Sequence, residues 1–244
     1  MERKEFLKKL GFTMMVTPLL SACSEDQDPT VDTTTTTDTT TTTTGTTADG
    51  TCTVTPSETA GPFPTKSPTD LVMSDIRSDR QGVQLDVKIT IRDKNNDCAV
   101  LEGAFVDIWH CDKDGNYSEY GGTGMQSGNY TSVHFLRGRQ TTNASGLAGY
   151  TSIFPGWYSG RAPHIHVHIY DASGKSLLVT QIAFPKTVTD VVYTTSSYYS
   201  SRGKQDTTNE SDNVFGDGFA NELATVEGSV GDGYTLTHTI VVGA

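Results

Sequence analysis

The chain is predicted to form an all-β fold, a single β-sandwich domain with long loops over residues 51–244, and three observations predict it. Apolar and polar residues alternate over residues 83–91, where Val83, Leu85, Val87, Ile89 and Ile91 share one face; a period of two marks a strand with one side buried. Similar runs recur at 104–110, 164–170, 176–184 and 234–242, separated by turn clusters such as Asp93-Lys94-Asn95-Asn96-Asp97 and Asp171-Ala172-Ser173-Gly174. No sustained helical period competes. Only residues 190–201 hint at a helix, and their Thr and Ser content argues against it.

The residues ahead of these strands read as an export segment and a tether. Arg3, Lys4, Lys8 and Lys9 precede a short apolar run over residues 10–20 and then Leu20-Ser21-Ala22-Cys23, the order of a signal peptide over residues 1–22. Leu-Ser-Ala-Cys resembles a bacterial lipobox, which implies cleavage before Cys23 and lipidation of that residue. Arg3-Lys4 also resembles a twin-arginine signal with Lys in the second place. Residues 23–50 are expected to be a disordered tether, since 14 of the 18 residues from 30 to 47 are Thr and nothing there can bury a core. Asp32 and Asp38 with their following threonines resemble O-glycosylation sites, and a bare linker is equally open. The expected location is therefore outside the cytoplasm, with the membrane met only through the lipid on Cys23.

Cysteine use agrees with that compartment. An oxidising exterior favours one disulfide among Cys52, Cys98 and Cys111. Cys98 and Cys111 bracket an expected strand and would stand too far apart to bridge. Cys52 is then the partner of one of the two, and which one stays open. The net charge of −11 over 244 residues gives no electrostatic support for gripping nucleic acid, and no apolar run of about 20 residues is present to span a bilayer.

Chemistry is concentrated between residues 154 and 168. His164, His166 and His168 alternate along a strand and so share a face, and imidazoles at i and i+2 can converge on one iron, copper or zinc ion. His-x-His alone is a weak signal. What strengthens it is Pro155-Gly156-Trp157-Tyr158 just upstream, whose turn can fold a phenol back to the same centre. A phenol titrates near 10, so it ligates well only where a hard, highly charged ion stabilises phenolate. Tyrosine beside paired histidine therefore favours Fe(III).

Three segments together resemble the intradiol ring-cleavage dioxygenases: Thr55-Pro56-Ser57-Glu58-Thr59-Ala60-Gly61-Pro62-Phe63, then residues 103–112 with Gly115-Asn116-Tyr117, then Pro155-Gly156-Trp157-Tyr158 through His164-Ile165-His166. The resemblance extends over nearly all of residues 51–244. It implies a non-haem Fe(III) held by Tyr117, Tyr158, His164 and His166. It implies that Tyr158 is displaced by substrate and then acts as a base, with Arg161 stabilising negative charge on the substrate. Phe63, Trp109 and Gln181 are expected to line the pocket, Phe63 standing where many members carry Tyr. The reaction implied is cleavage of a catechol-type diol by O2 to a muconate-type dicarboxylic acid, and the partners are a small aromatic diol and O2.

Two rivals remain at this stage: a non-catalytic surface sandwich that binds glycans or phenolic polymers and keeps a relic metal site, and a zinc or copper enzyme using His164, His166 and His168. His110, beside Trp109, is a further pocket candidate. His238 is expected on a strand surface.

Overall fold

Strand β1 (Gln84–Asp93) buries Leu85, Val87, Ile89 and Ile91 completely while its alternate residues face outward. In this computed structural model, which describes residues 52–122 and 124–244, β1 is the spine of the larger of two sheets. The signal peptide, Cys23 and the tether expected over residues 1–50 lie outside the described residues. β1 pairs antiparallel with β2 (Ala99–Val100) and β5 (Leu147–Ile153), and parallel with β9 (Gly233–Val242), which in turn pairs with β8 (Thr225–Ser229). The smaller sheet has the order β4 (Arg137–Thr141), β3 (Phe105–Trp109), β6 (His164–Tyr170), β7 (Ser176–Ala183), all antiparallel neighbours.

The two sheets face each other across one apolar layer. Val106, Ile108, Ile165, Val167, Ile169 and Ile182 from the smaller sheet meet Leu85, Val87, Ile89, Leu236 and Ile240 from the larger, as expected of a β-sandwich. Burial of this layer is the main drive for folding.

Among the described residues the fold is mostly β-sheet with one α-helix, and the helix corrects the sequence reading. It lies at α1 (Lys186–Thr195) rather than over 190–201, starting directly after Pro185, and it packs Thr189, Val192 and Tyr193 inward. Pro fixes φ near the helical value and needs no N–H at a helix start, so Pro185 was the missed signal. Strands β2, β4, β5 and β8 were not foreseen either. Cys52 bridges to Cys98, with Cα atoms 5.9 Å apart, and Cys111 is free and buried. The stretch between Cys98 and Cys111 is two strands and a turn, not one strand. Among the described residues no helix is long and apolar enough to cross a membrane.

Candidate active site

Strand register places a row of four side chains on the outer face of the smaller sheet. Arg137 of β4 stands opposite Trp109 of β3, Trp109 opposite His166 of β6, and His166 opposite Gln181 of β7. Directly opposite residues on one face lie within side-chain reach. All four are buried, because loops cover this row. The next row along, Arg139, Asp107, His168 and Val179, lies nearer solvent. There Arg139 pairs with Asp107, and His168 engages Ser176 Oγ and Tyr170 Oη, each at 2.8 Å. His168 therefore shares a face with His164 and His166 but stays out of their cluster, which removes the three-histidine arrangement.

Four predicted residues converge. His164 Nε2 and His166 Nε2 are 3.1 Å apart, and Tyr117 Oη is 3.3 Å from His164 Nε2. The Tyr158 ring stands edge-on to both Tyr117 and His164, with centroids 5.8 and 5.7 Å away. His164 Nδ1 donates to Ala162 O at 2.6 Å, which leaves the Nε2 lone pair aimed at the cluster. Burial lowers the His164 pKa to about 3 and holds His166 well below its ordinary range, so both imidazoles are neutral, the ligating form. Burial raises both phenols, Tyr117 furthest, so neither ionises until a cation favours phenolate. His166 Nδ1 is buried without a hydrogen-bond partner. Among the described residues no group of three or more His, Cys, Asp and Glu is arranged to hold a metal ion. The donor set is instead two imidazoles and two phenols, which fits a hard trivalent ion.

The two tyrosines are held unequally. Tyr117 is fully buried, stacks on Phe63 at 4.9 Å, and has its backbone N–H and C=O both bonded by the Gln126 side chain. Tyr158 keeps 5% exposure, and Arg161 Nη1 donates to its hydroxyl over 3.4 Å. The loops bearing the two phenols touch at Gly156, where a Cβ would collide with the carbonyls of Asp112 and Lys113.

Arg161 is buried and fully directed. Its Nε donates to both oxygens of Asp212 at 3.1 and 2.9 Å, and its Nη2 to Gln181 Oε1 at 2.6 Å. Gln181 in turn donates to Thr59 O at 2.9 Å, tying β7 to the segment 58–63 that roofs the site. Gly61 of that segment sits against His166, where an added Cβ would fall 2.9 Å from the ring, and its φ of +69° suits glycine. Arg137 binds the same roof through Phe63 O and the Tyr117 loop through Ser118 O.

Sequence reasoning missed Asp212, Arg137 and Gln126. Each acts on a residue it did find: Asp212 and Arg137 across separations of 51 and 74 positions, Gln126 across nine but from a loop with no motif of its own. His110 proves to be a packing group, not a pocket wall: its ring nitrogens contact Cys111 O at 2.8 Å and Ser152 Oγ at 2.7 Å. His238, expected on a strand surface, is half-buried on β9 between exposed Thr237 and Thr239, and its Nε2 has no hydrogen-bond partner.

No protein-family model matches the chain. Chlorocatechol 1,2-dioxygenase of Rhodococcus opacus is 30% identical over 142 residues, covering 50% of this chain and 51% of the relative. The chain thus matches about half the length of that curated relative. Among solved structures, an intradiol ring-cleavage dioxygenase from Tetranychus urticae is 28% identical with a TM-score of 0.69, covering 78% of this chain and 95% of its own. The dioxygenase domain of a carbohydrate-binding fusion protein from Streptomyces sp. SirexAA-E is 26% identical with a TM-score of 0.54, covering 78% and 97%. The chain thus shares the fold of solved intradiol ring-cleavage dioxygenases over 78% of its length.

Proposed function

We propose that the chain cleaves a catechol-type aromatic diol between its two hydroxylated carbons with O2, using a non-haem Fe(III) held by Tyr117, Tyr158, His164 and His166. The observation that carries this reading is the meeting at His164 Nε2 of His166 Nε2, 3.1 Å away, and Tyr117 Oη, 3.3 Å away, with Tyr158 alongside. Bound there, the ferric ion supplies the electron-withdrawing centre that activates a chelated catechol toward O2.

The chain's own groups divide the remaining work. Tyr117 stays fixed, because Phe63 and Gln126 leave it no room. Tyr158, on a loop and less tightly bound, is the phenol that leaves; its Oη then accepts a proton from a substrate hydroxyl, which is general-base catalysis. Arg161 directs Nη1 to the place where that oxygen stood and stabilises the negative charge that develops on the substrate. Phe63, Trp109 and Gln181 wall the pocket and exclude water. The export segment and Cys23 lipobox support an envelope location for this chemistry.

The test is direct. Iron-loaded protein should be coloured by tyrosinate-to-Fe(III) charge transfer, and an oxygen electrode should register uptake with at least one of catechol, protocatechuate, hydroxyquinol and caffeate. Fully iron-loaded protein that is colourless, or a panel with no uptake, would overturn the reading.

A further inference from the structure

Arg161 is a buried cation, and the face it shows to the cluster is decided by a residue 51 positions away. Asp212 lies between two short 3-10 turns, Asn209–Ser211 and Phe215–Asp217, in a strap that crosses the end of the smaller sheet. The strap is anchored at its first turn. Asn209 Nδ2 donates to Phe184 O at 3.0 Å, and Thr208 and Ser211 cap the first turn reciprocally. The Phe215 ring lies beneath the Arg161 guanidinium at 5.9 Å and edge-on to the His164 ring at 6.5 Å.

Within the strap the Asp212 carboxylate is 1% exposed and saturated. Oδ2 accepts from Ala162 N at 2.6 Å and Arg161 Nε at 2.9 Å; Oδ1 accepts from Val214 N at 2.8 Å, Arg161 Nε at 3.1 Å and Phe215 N at 3.3 Å. Burial alone would raise this carboxyl, but the amides of Ala162 and Val214 and the guanidinium outweigh it and hold it ionised. The Nε edge of the planar guanidinium is thereby occupied. The opposite edge is left for Gln181 through Nη2 and for the Tyr158 oxygen through Nη1. Guanidinium geometry is a rigid fork, so fixing one edge fixes the other.

We infer that Asp212 is the positioning residue for Arg161: it holds the guanidinium so that Nη1 stays aimed at the Tyr158 site when the phenol departs. This rests on the dioxygenase reading for its kinetic arm, while its geometric arm is independent of it. A capping role for Asp212 confined to the strap would make its removal costly for folding and neutral for the direction of Arg161.

The experiment is a double-mutant cycle of Asp212→Asn and Arg161→Ala, read with the best catechol of the panel, together with the arginine Nε–H resonances of metal-free, 15N-labelled protein. Asp212→Asn should lower kcat by about 10²-fold with KM changed less than threefold, the scale of one misdirected charge-stabilising donor. In the Arg161→Ala background the same change should cost less than about twofold, since residues acting as a unit are non-additive. The parent should show a protected Arg161 Nε–H resonance that Asp212→Asn abolishes. Losses that multiply, or a resonance unchanged in the variant, overturn the inference. Asp212→Glu, which keeps the charge and shifts it by one methylene, serves if the amide variant does not fold; it should keep the fold and lose kcat, and retention of parental kcat overturns the inference. A parent that consumes no O2 with any catechol sinks the dioxygenase reading, and the resonance alone then decides the role of Asp212.

Discussion

Trp109 lies flat against His166, with ring planes 3° apart and centroids separated by 4.9 Å. The pair is formed by strand register, so the imidazole cannot turn without moving an indole that is itself 2% exposed. Trp109→Leu, which stays apolar but gives up volume and the flat contact, should lower affinity for iron by about tenfold or more, the usual scale for losing a group that orients a ligand. Competition against a ferric chelator measures this, and unchanged iron retention would show that His166 is oriented by other contacts.

Unequal restraint of the two phenols predicts unequal variants. Tyr158→Phe should retain a coloured ferric protein, since Tyr117 still supplies a phenolate, while kcat drops by about 10² or more through loss of the base. Tyr117→Phe should cost both colour and iron content. Equal iron loss in the two variants would contradict the asymmetry read from Phe63 and Gln126.

Gly156 predicts a packing failure at the join between the two tyrosine loops. A methyl group there meets backbone carbonyls of Asp112 and Lys113, which cannot step aside as a flexible side chain would. Gly156→Ala should destabilise by about 1–3 kcal/mol, as overpacking does, and should release iron disproportionately because Tyr117 and Tyr158 are driven apart. Denaturant titration and iron analysis on the same preparation separate the two effects.

The Cys52–Cys98 bridge closes a loop with a sequence separation of 46. Chain-entropy reasoning assigns such a loop about 4 kcal/mol, so Cys98→Ser should shift the unfolding midpoint down strongly. Colour should survive in the folded variant, since neither bridged cysteine is among the residues that form the cluster and Cys111 takes no part in the bridge. A variant as stable as the parent would mean that the bridge does not form.

Glu222 predicts a pH dependence of stability. Its side chain is fully buried and Oε2 has no partner; burial, and then the charge of Glu58, lift its pKa to about 8. The folded state thus holds this proton more tightly than the unfolded chain. The stability it contributes is complete below the ordinary carboxyl range and is lost as pH rises toward 8. Glu222→Gln should melt with the parent near pH 4 and several degrees above it at pH 8.5. Parallel melting curves across that range would rule out a neutral Glu222.

What was legible in the sequence follows from how each element is buried. β1 shows clean alternation because one of its faces is core and the other solvent. β4 hides behind Arg137-Gly138-Arg139, whose charged side chains face outward yet lie under loops, so the pattern reads as polar. β8 is largely exposed along its length and carries no period to detect. In the site, Tyr158, Arg161, His164 and His166 lie within nine residues of one another and form a motif. Asp212 reaches the same point only through tertiary structure, and nothing near it in the chain marks it.

The parallel pairing of β1 with β9 sets the order in which the molecule can assemble. β1 has partners on one side from β2 and β5, but its other edge, Leu85 to Asp93, waits for residues 234–242. Until those are made, a strand with one wholly apolar face has an open edge and part of its sheet is missing, a state prone to joining with another chain. Contacts so distant in sequence close slowly. Of the described strands, the last in chain order is the one that completes the platform, so the sandwich stays unfinished until residues 234–242 have been made.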